Sequence, residues 1–168
     1  MDLPEDQFAL YAEVGIATEK AQVLELEAGN VALTYLTLFV DTDRITPEET
    51  EMFRCVVDDV NRKTLGAILK HIKARMAFDD AIVRVIDEGL KQRNYLAHHF
   101  FRTHNFAIYS EAGRKLMVAE LKEIQGKLDQ AHAMLRTIDA LLGKMAGLEG
   151  VSNEMALHLQ TLGRKVNI

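Results

Sequence analysis

The chain has 168 residues, 48% apolar and 27% charged, with a net charge of −5 at pH 7. That length holds one domain with a sizeable hydrophobic core and not two comfortable ones. The composition excludes disorder as the default, and the acidic balance argues against a general nucleic-acid binder.

A single cysteine, Cys55, excludes an intramolecular disulfide and fits a reducing compartment. The start, MDLPEDQF, is acidic where a secretory signal would be basic and then apolar. The longest nearly uncharged apolar run, VALTYLTLFV at 31–40, is half the length of a membrane span. A cytoplasmic, soluble protein with no membrane partner is expected.

Only Pro4 and Pro47 interrupt the backbone donors, which favours helix. Leu10, Val14, Ala17, Ala21, Leu24, Ala28, Val31, Tyr35 and Leu38 alternate steps of four and three, one continuous stripe along a first long helix. Pro4 suits its first turn. Thr46-Pro47-Glu48-Glu49 then restarts a helix with a Thr cap, a Pro at the first position and a capping-box Glu.

The region 47–77 carries a first apolar face of Met52, Phe53, Val56, Val57 and Val60. Thr64 can cap a shorter helix bearing Leu65, Ile68, Leu69 and Ile72. Asp79 and Asp80 favour the positive end of a further helix reaching about Arg102, with Ile82, Val85, Ile86, Leu90, Ala97 and Phe100 inward. Gly89 weakens it by about 1 kcal/mol relative to alanine.

The last long helix is the clearest. Met117, Leu121, Ile124, Leu128, Ala131, Leu135, Ile138, Leu142 and Met145 predict a helix over about 111–146, roughly 54 Å long. Gly147 and Gly150 end it, and Ser152 can cap a short terminal helix to about Leu162. The fold expected is all-α: a roughly up-and-down four-helix bundle with a short additional C-terminal helix. The same seven-residue repeats suit pairing between chains, so dimerisation stays open.

Charge is segregated. Residues 61–77 carry Arg62, Lys63, Lys70, Lys73 and Arg75 with no acid, and 91–115 carry Lys91, Arg93, Arg102, Arg114 and Lys115 against Glu111. Those windows sum to +5 and +4, so the remainder carries −14. They form a local positive patch if the fold brings them together, and an ordinary solvated face if it does not.

The second window opens with KQRNYLAHHFFR at 91–102. Residues three or four apart share a helix face, so Lys91, Asn94, His98 and Arg102 form one polar line with Tyr95 beside it. Arg93 lies about 140° round the axis from His98 and reaches the same pocket only by curving, or with a second subunit as the far wall.

The chemistry of the set suits metal-independent RNA cleavage. A histidine exchanges protons at neutral pH, an arginine matches a phosphate, and an amide orients either. Ten arginines and six histidines in this length make R-x4-H alone a weak signal, with roughly 0.4 matches expected by chance. Requiring the following asparagine lowers that to roughly 0.01.

Arg93-Asn94-Tyr95-Leu96-Ala97-His98, late in a helix of an all-α chain, resembles the R-x(4–6)-H motif of the HEPN superfamily. The turn Ala21-Gln22-Val23-Leu24-Glu25 and the short Thr64-Leu65-Gly66 are similar features. The resemblance implies a single HEPN-like domain over 1–168, its core at about 5–145, followed by a helical extension at 150–168. It implies a homodimer whose paired motifs face one another as a metal-independent RNA endonuclease, a toxin or defence effector.

By that match Arg93, Asn94 and His98 take the catalytic positions. Lys91, Tyr95 and Arg102 are candidate substrate-binding side chains from their place on the polar line, and the family pattern gives Tyr95 and Arg102 no role. RNA is the expected partner rather than DNA, with an antitoxin-like protein a second. No cofactor or metal is expected, because His98, His99 and His104 lack the i,i+4 pairing of a helix-borne zinc site.

A structural alternative stands beside each of these. The functional reading is preferred, but Arg93, Asn94 and His98 also make sense as a solvated stripe or a hydrogen-bonded knot joining subunits. In that case the chain is a non-catalytic helical interaction or regulatory module. Phe100, Phe101 and Phe106 could stack bases, but core packing is the preferred reading. His99 reads as surface or interface, and His71, His132, His158 and Cys55 as incidental.

Overall fold

The structure is a computed structural model that describes residues 4–38, 46–48, 51 and 78–147. The apolar faces of 52–72, the 61–77 basic window, Thr64-Leu65-Gly66, Cys55, His71, His158 and the helix after Ser152 lie outside those residues. The described residues are helical and contain no strand. Helix α1 spans Glu5–Thr37, α2 Asp80–His98, α3 Phe100–Thr103 and α4 Glu111–Met145, with a 3-10 turn at Ala107–Tyr109. Thr46 precedes helical Pro47 and Glu48, as the cap pattern predicts. No helix among the described residues is long and apolar enough to cross a membrane.

The chain divides into two compact units, Met1–Glu27 with Lys73–Leu135, and Ala28–Ile72 with Arg136–Ile168. In the first, the predicted stripes are the core: Leu10, Ala17, Ala21 and Leu24 of α1 and Met117, Leu121, Ile124, Leu128, Ala131 and Leu135 of α4 are buried. In the second, Ala28, Val31, Ile138 and Leu142 are buried. Met145, at the end of the α4 stripe, is exposed.

Within the first unit α1 and α4 run parallel. Asp6 pairs with Arg114, Glu13 with Gln125 and Lys20 with Asp129, so the two helices advance together. The order of the helices between α1 and α2 falls outside the described residues. α2 runs against both: Glu88 meets Lys127 and Arg93 meets Glu25, while Tyr95, further along, reaches back to Glu120.

α2 begins as expected, Asp79 accepting from the Ala81 N–H at 2.7 Å. It contributes Ile86 and Gly89 to the core, and Gly89 is no defect. A Cβ there would lie 2.3 Å from Ala131 Cβ and 3.4 Å from Leu24 Cδ2, so α2 lies closer than any side chain permits. Ala97, expected inward, is exposed.

The predicted run to Arg102 breaks at His99, whose φ of −127° departs from helix before α3 begins. Beyond it Phe100 is fully buried, its ring edge-on to Tyr95 at 6.2 Å and 4.9 Å from the His104 ring. Phe101 and Phe106 are exposed, which corrects their assignment to the core. One follows Phe100 by a single residue and so is turned about 100° from it, and the other sits on the turn that leads out to α4.

Arg114 ties three segments together. Its Nε donates to Asp6 Oδ2 at 2.5 Å and its Nη1 to the Ile108 carbonyl at 2.9 Å. That hydrogen bond holds the Asp6 carboxyl below its ordinary value of 3.8.

Two measurements follow from this packing. Gly89→Ala should destabilise the chain by about 1–3 kcal/mol in urea unfolding, because overpacking outweighs the roughly 1 kcal/mol gain in helix propensity; an unchanged or raised midpoint contradicts the close approach. A carboxyl whose folded pKa is depressed adds stability above its unfolded pKa and loses it as pH falls through the folded one. Wild type should therefore exceed Asp6→Asn in stability at neutral pH, with the two converging below about pH 4. A gap independent of pH would show that the ion pair contributes nothing.

Candidate functional site

Arg93 follows Gly89 by one helical turn and shares its face. The approach that seats Gly89 against Leu24 therefore carries Arg93 to the neighbouring residue, Glu25. The two form an ion pair, with side chains 21% and 34% exposed. A second guanidinium nitrogen, Nη1, donates to Asn94 Oδ1 at 3.0 Å. The arginine is thus aimed and held by groups on both of its sides.

The pair sits in a groove of about 360 Å³ between α1 and α2, lined by Val14, Thr18, Ala21, Gln22, Glu25, Arg93, Leu96, Ala97 and Phe101. Its walls are mostly apolar, which strengthens whatever charge interaction takes place within it. Asn94 lines instead a second concavity of about 490 Å³ with Asp87, Leu90, Lys91, Tyr95 and His99. The Arg93–Asn94 hydrogen bond links the two.

The remaining site candidates divide. His98 is exposed and lines neither concavity; its ring lies 6.3 Å from that of His99. Lys91 is exposed and 4.0 Å from Glu88. Arg102 lies past the His99 break, in α3, exposed and off the straight line that a continuous helix would draw. The Tyr95 hydroxyl faces Thr103 and Glu120, and burial, opposed by the Thr103 hydrogen bond and aided by Glu120, pushes its pKa above 10.0. Tyr95 thereby belongs to a small polar cluster with His104, whose Nε2 lies 2.7 Å from Glu120 Oε2.

Two features escaped the sequence. Glu25 was visible as part of a polar turn on α1, but nothing in one dimension paired it with Arg93. The His104–Glu120–Tyr95 cluster joins residues on three segments and had no spacing signal at all. Among the described residues no group of three or more His, Cys, Asp or Glu side chains is placed to share a metal ion.

What one chain offers is a guanidinium held by a carboxylate and an amide and, facing solvent, an imidazole. A double-mutant cycle of Arg93→Ala and Glu25→Ala in urea unfolding should return a coupling of about 0.5–1 kcal/mol, the range for a partly exposed pair. Zero coupling would mean that the guanidinium is free in solution.

No protein-family model matches this chain, and comparisons with curated proteins and with solved structures return no match either.

Proposed function

We propose that this chain is a HEPN-type, metal-independent RNA endonuclease, a toxin or defence effector that works as a homodimer. The observation that carries this reading is the seating of Arg93 in the α1–α2 groove, with Asn94 on its guanidinium and His98 exposed five residues on. A carboxylate and a phosphate oxygen pair make the same demands on a guanidinium. Glu25 thus occupies the place that a phosphodiester would take.

In the proposed step a His98 imidazole removes the ribose 2′-hydroxyl proton, and the 2′-oxygen attacks the adjacent phosphorus. The bond from phosphorus to the 5′-oxygen breaks, that oxygen takes a proton from a protonated His98 or from water, and the products are a 2′,3′-cyclic phosphate and a free 5′-hydroxyl. Arg93 stabilises the charge building on the phosphoryl oxygens. Because His98 does not line the groove of its own Arg93, the reading needs a second copy to complete the site.

Support for two copies comes from α1. Phe8, Ile16, Val23 and Leu26 are exposed and fall within about 80° of one another, opposite the buried stripe. A helix apolar on two opposite faces suits burial on both sides. The reading takes the fold as the four-helix bundle that the apolar periodicity of the sequence predicts.

A non-catalytic module is the second reading. The observation favouring it is that Arg93 already has Glu25 and Asn94 as partners, as a structural knot would.

The purified protein should cut single-stranded RNA in EDTA, leaving cyclic phosphate ends, and His98→Ala or Arg93→Ala should lower the rate at least about a hundredfold. A folded wild-type dimer that leaves varied RNAs intact ends the nuclease reading. Conversion of His98→Ala to a monomer on gel filtration, with no cleavage to lose, supports the module.

A further inference from the structure

Phe106 and Tyr109 are 83% and 84% exposed, the most exposed large apolar side chains among the described residues. They flank a single 3-10 turn, closed by the Tyr109 N–H donating to the Phe106 carbonyl at 3.3 Å. A 3-10 helix repeats every three residues, so both side chains leave the turn on the same side, about 6 Å apart along its axis.

The turn that carries them is held from several directions. Arg114 donates to the Ile108 carbonyl, and the Ile108 N–H donates to the His104 carbonyl at 3.2 Å. The Ser110 hydroxyl accepts from the Gly113 N–H at 3.1 Å, capping α4. Gly113 is required there, since a Cβ would lie 2.1 Å from the Ala107 carbonyl oxygen. Two solvent-facing rings on so constrained a backbone are presented ready for contact, which reduces the entropy lost on binding.

The segment that carries the rings has no acid of its own. From His98 to Ser110 the chain contains no carboxylate. The acids that approach from neighbouring helices are taken: Glu120 by His104, Asp6 by Arg114 and Glu111 by Lys115. Arg102, His98 and His99 are exposed, and Arg102 makes no ion pair or hydrogen bond among the described residues. Exposed aromatics on the same segment as an unpaired arginine are what single-stranded nucleic acid requires, rings for base faces and charge for the backbone.

We propose that Phe106 and Tyr109 form a stacking platform for the bases of single-stranded RNA, beside the strand contacts of Arg102. The proposal rests on the reading that this chain acts on RNA and extends it to how the strand is gripped outside the cleavage residues. Stacking reads the π-face that every base has, so the grip tolerates sequence and discriminates against duplex, whose bases are already stacked.

The test uses a fluorescein-labelled, 2′-O-methylated adenylate 10-mer, which cannot be cut because its 2′-oxygen carries no proton. Binding is thereby separated from cleavage. Anisotropy should show wild type binding the single strand better than the matching duplex. Phe106→Ala and Tyr109→Ala should each weaken single-strand binding about 5- to 150-fold. Phe106→Trp should retain it, and circular dichroism should be unchanged throughout, since both rings are outside the core. Normal binding by His98→Ala upholds the platform even where no RNA is cut. Wild-type affinity in the Phe106→Ala/Tyr109→Ala double variant overturns it, as does failure of wild type to bind the 10-mer. A dimer that becomes monomeric in that variant with affinity unchanged assigns the rings to subunit contact instead.

Discussion

The first unit depends on how closely α2 can lie against α1 and α4 at Gly89. With hydrogen in place of a side chain, the α2 backbone rests on Ala131 and Leu24 at a separation that a Cβ would forbid. Small residues at a helix crossing let backbones approach, and the flanking larger side chains then meet at contact distance. The helix direction and face are thereby set for everything that follows on α2.

The position of the functional candidates follows from that contact. One turn beyond Gly89, Arg93 enters the α1–α2 groove and finds Glu25, the residue after Leu24. Asn94, 100° further round, is turned to the second concavity but stays within reach of the same guanidinium. His98 falls outside both. The motif is therefore split by ordinary helical geometry: its cation is held in a half-buried groove while its imidazole stays with solvent. The proposed homodimer would bring the two halves together from different copies.

Polar pairs set register where apolar stripes cannot. Leu and Ala repeats pack nearly as well after a shift of one heptad, whereas Asp6–Arg114, Glu13–Gln125 and Lys20–Asp129 match only in one parallel alignment. Arg114 extends the effect to the 104–110 connection by holding the Ile108 carbonyl. The exposed rings of Phe106 and Tyr109 are consequently carried on a turn with a defined shape.

The amino-acid order by itself determined what repeats locally. The α1 and α4 stripes, the Asp79 cap and the bounds of both long helices were legible, because a 3.6-residue period and a capping side chain act within one or two turns. The residue types of the R-N-x3-H set were also legible. Only the tertiary structure decided that α1 and α4 run parallel, that Gly89 is a contact rather than a flaw, that Glu25 partners Arg93, and that Phe106 faces water while Phe100 does not. Each of those turns on residues far apart in sequence and close in space, and periodicity along one helix carries no information about which neighbour its face will meet.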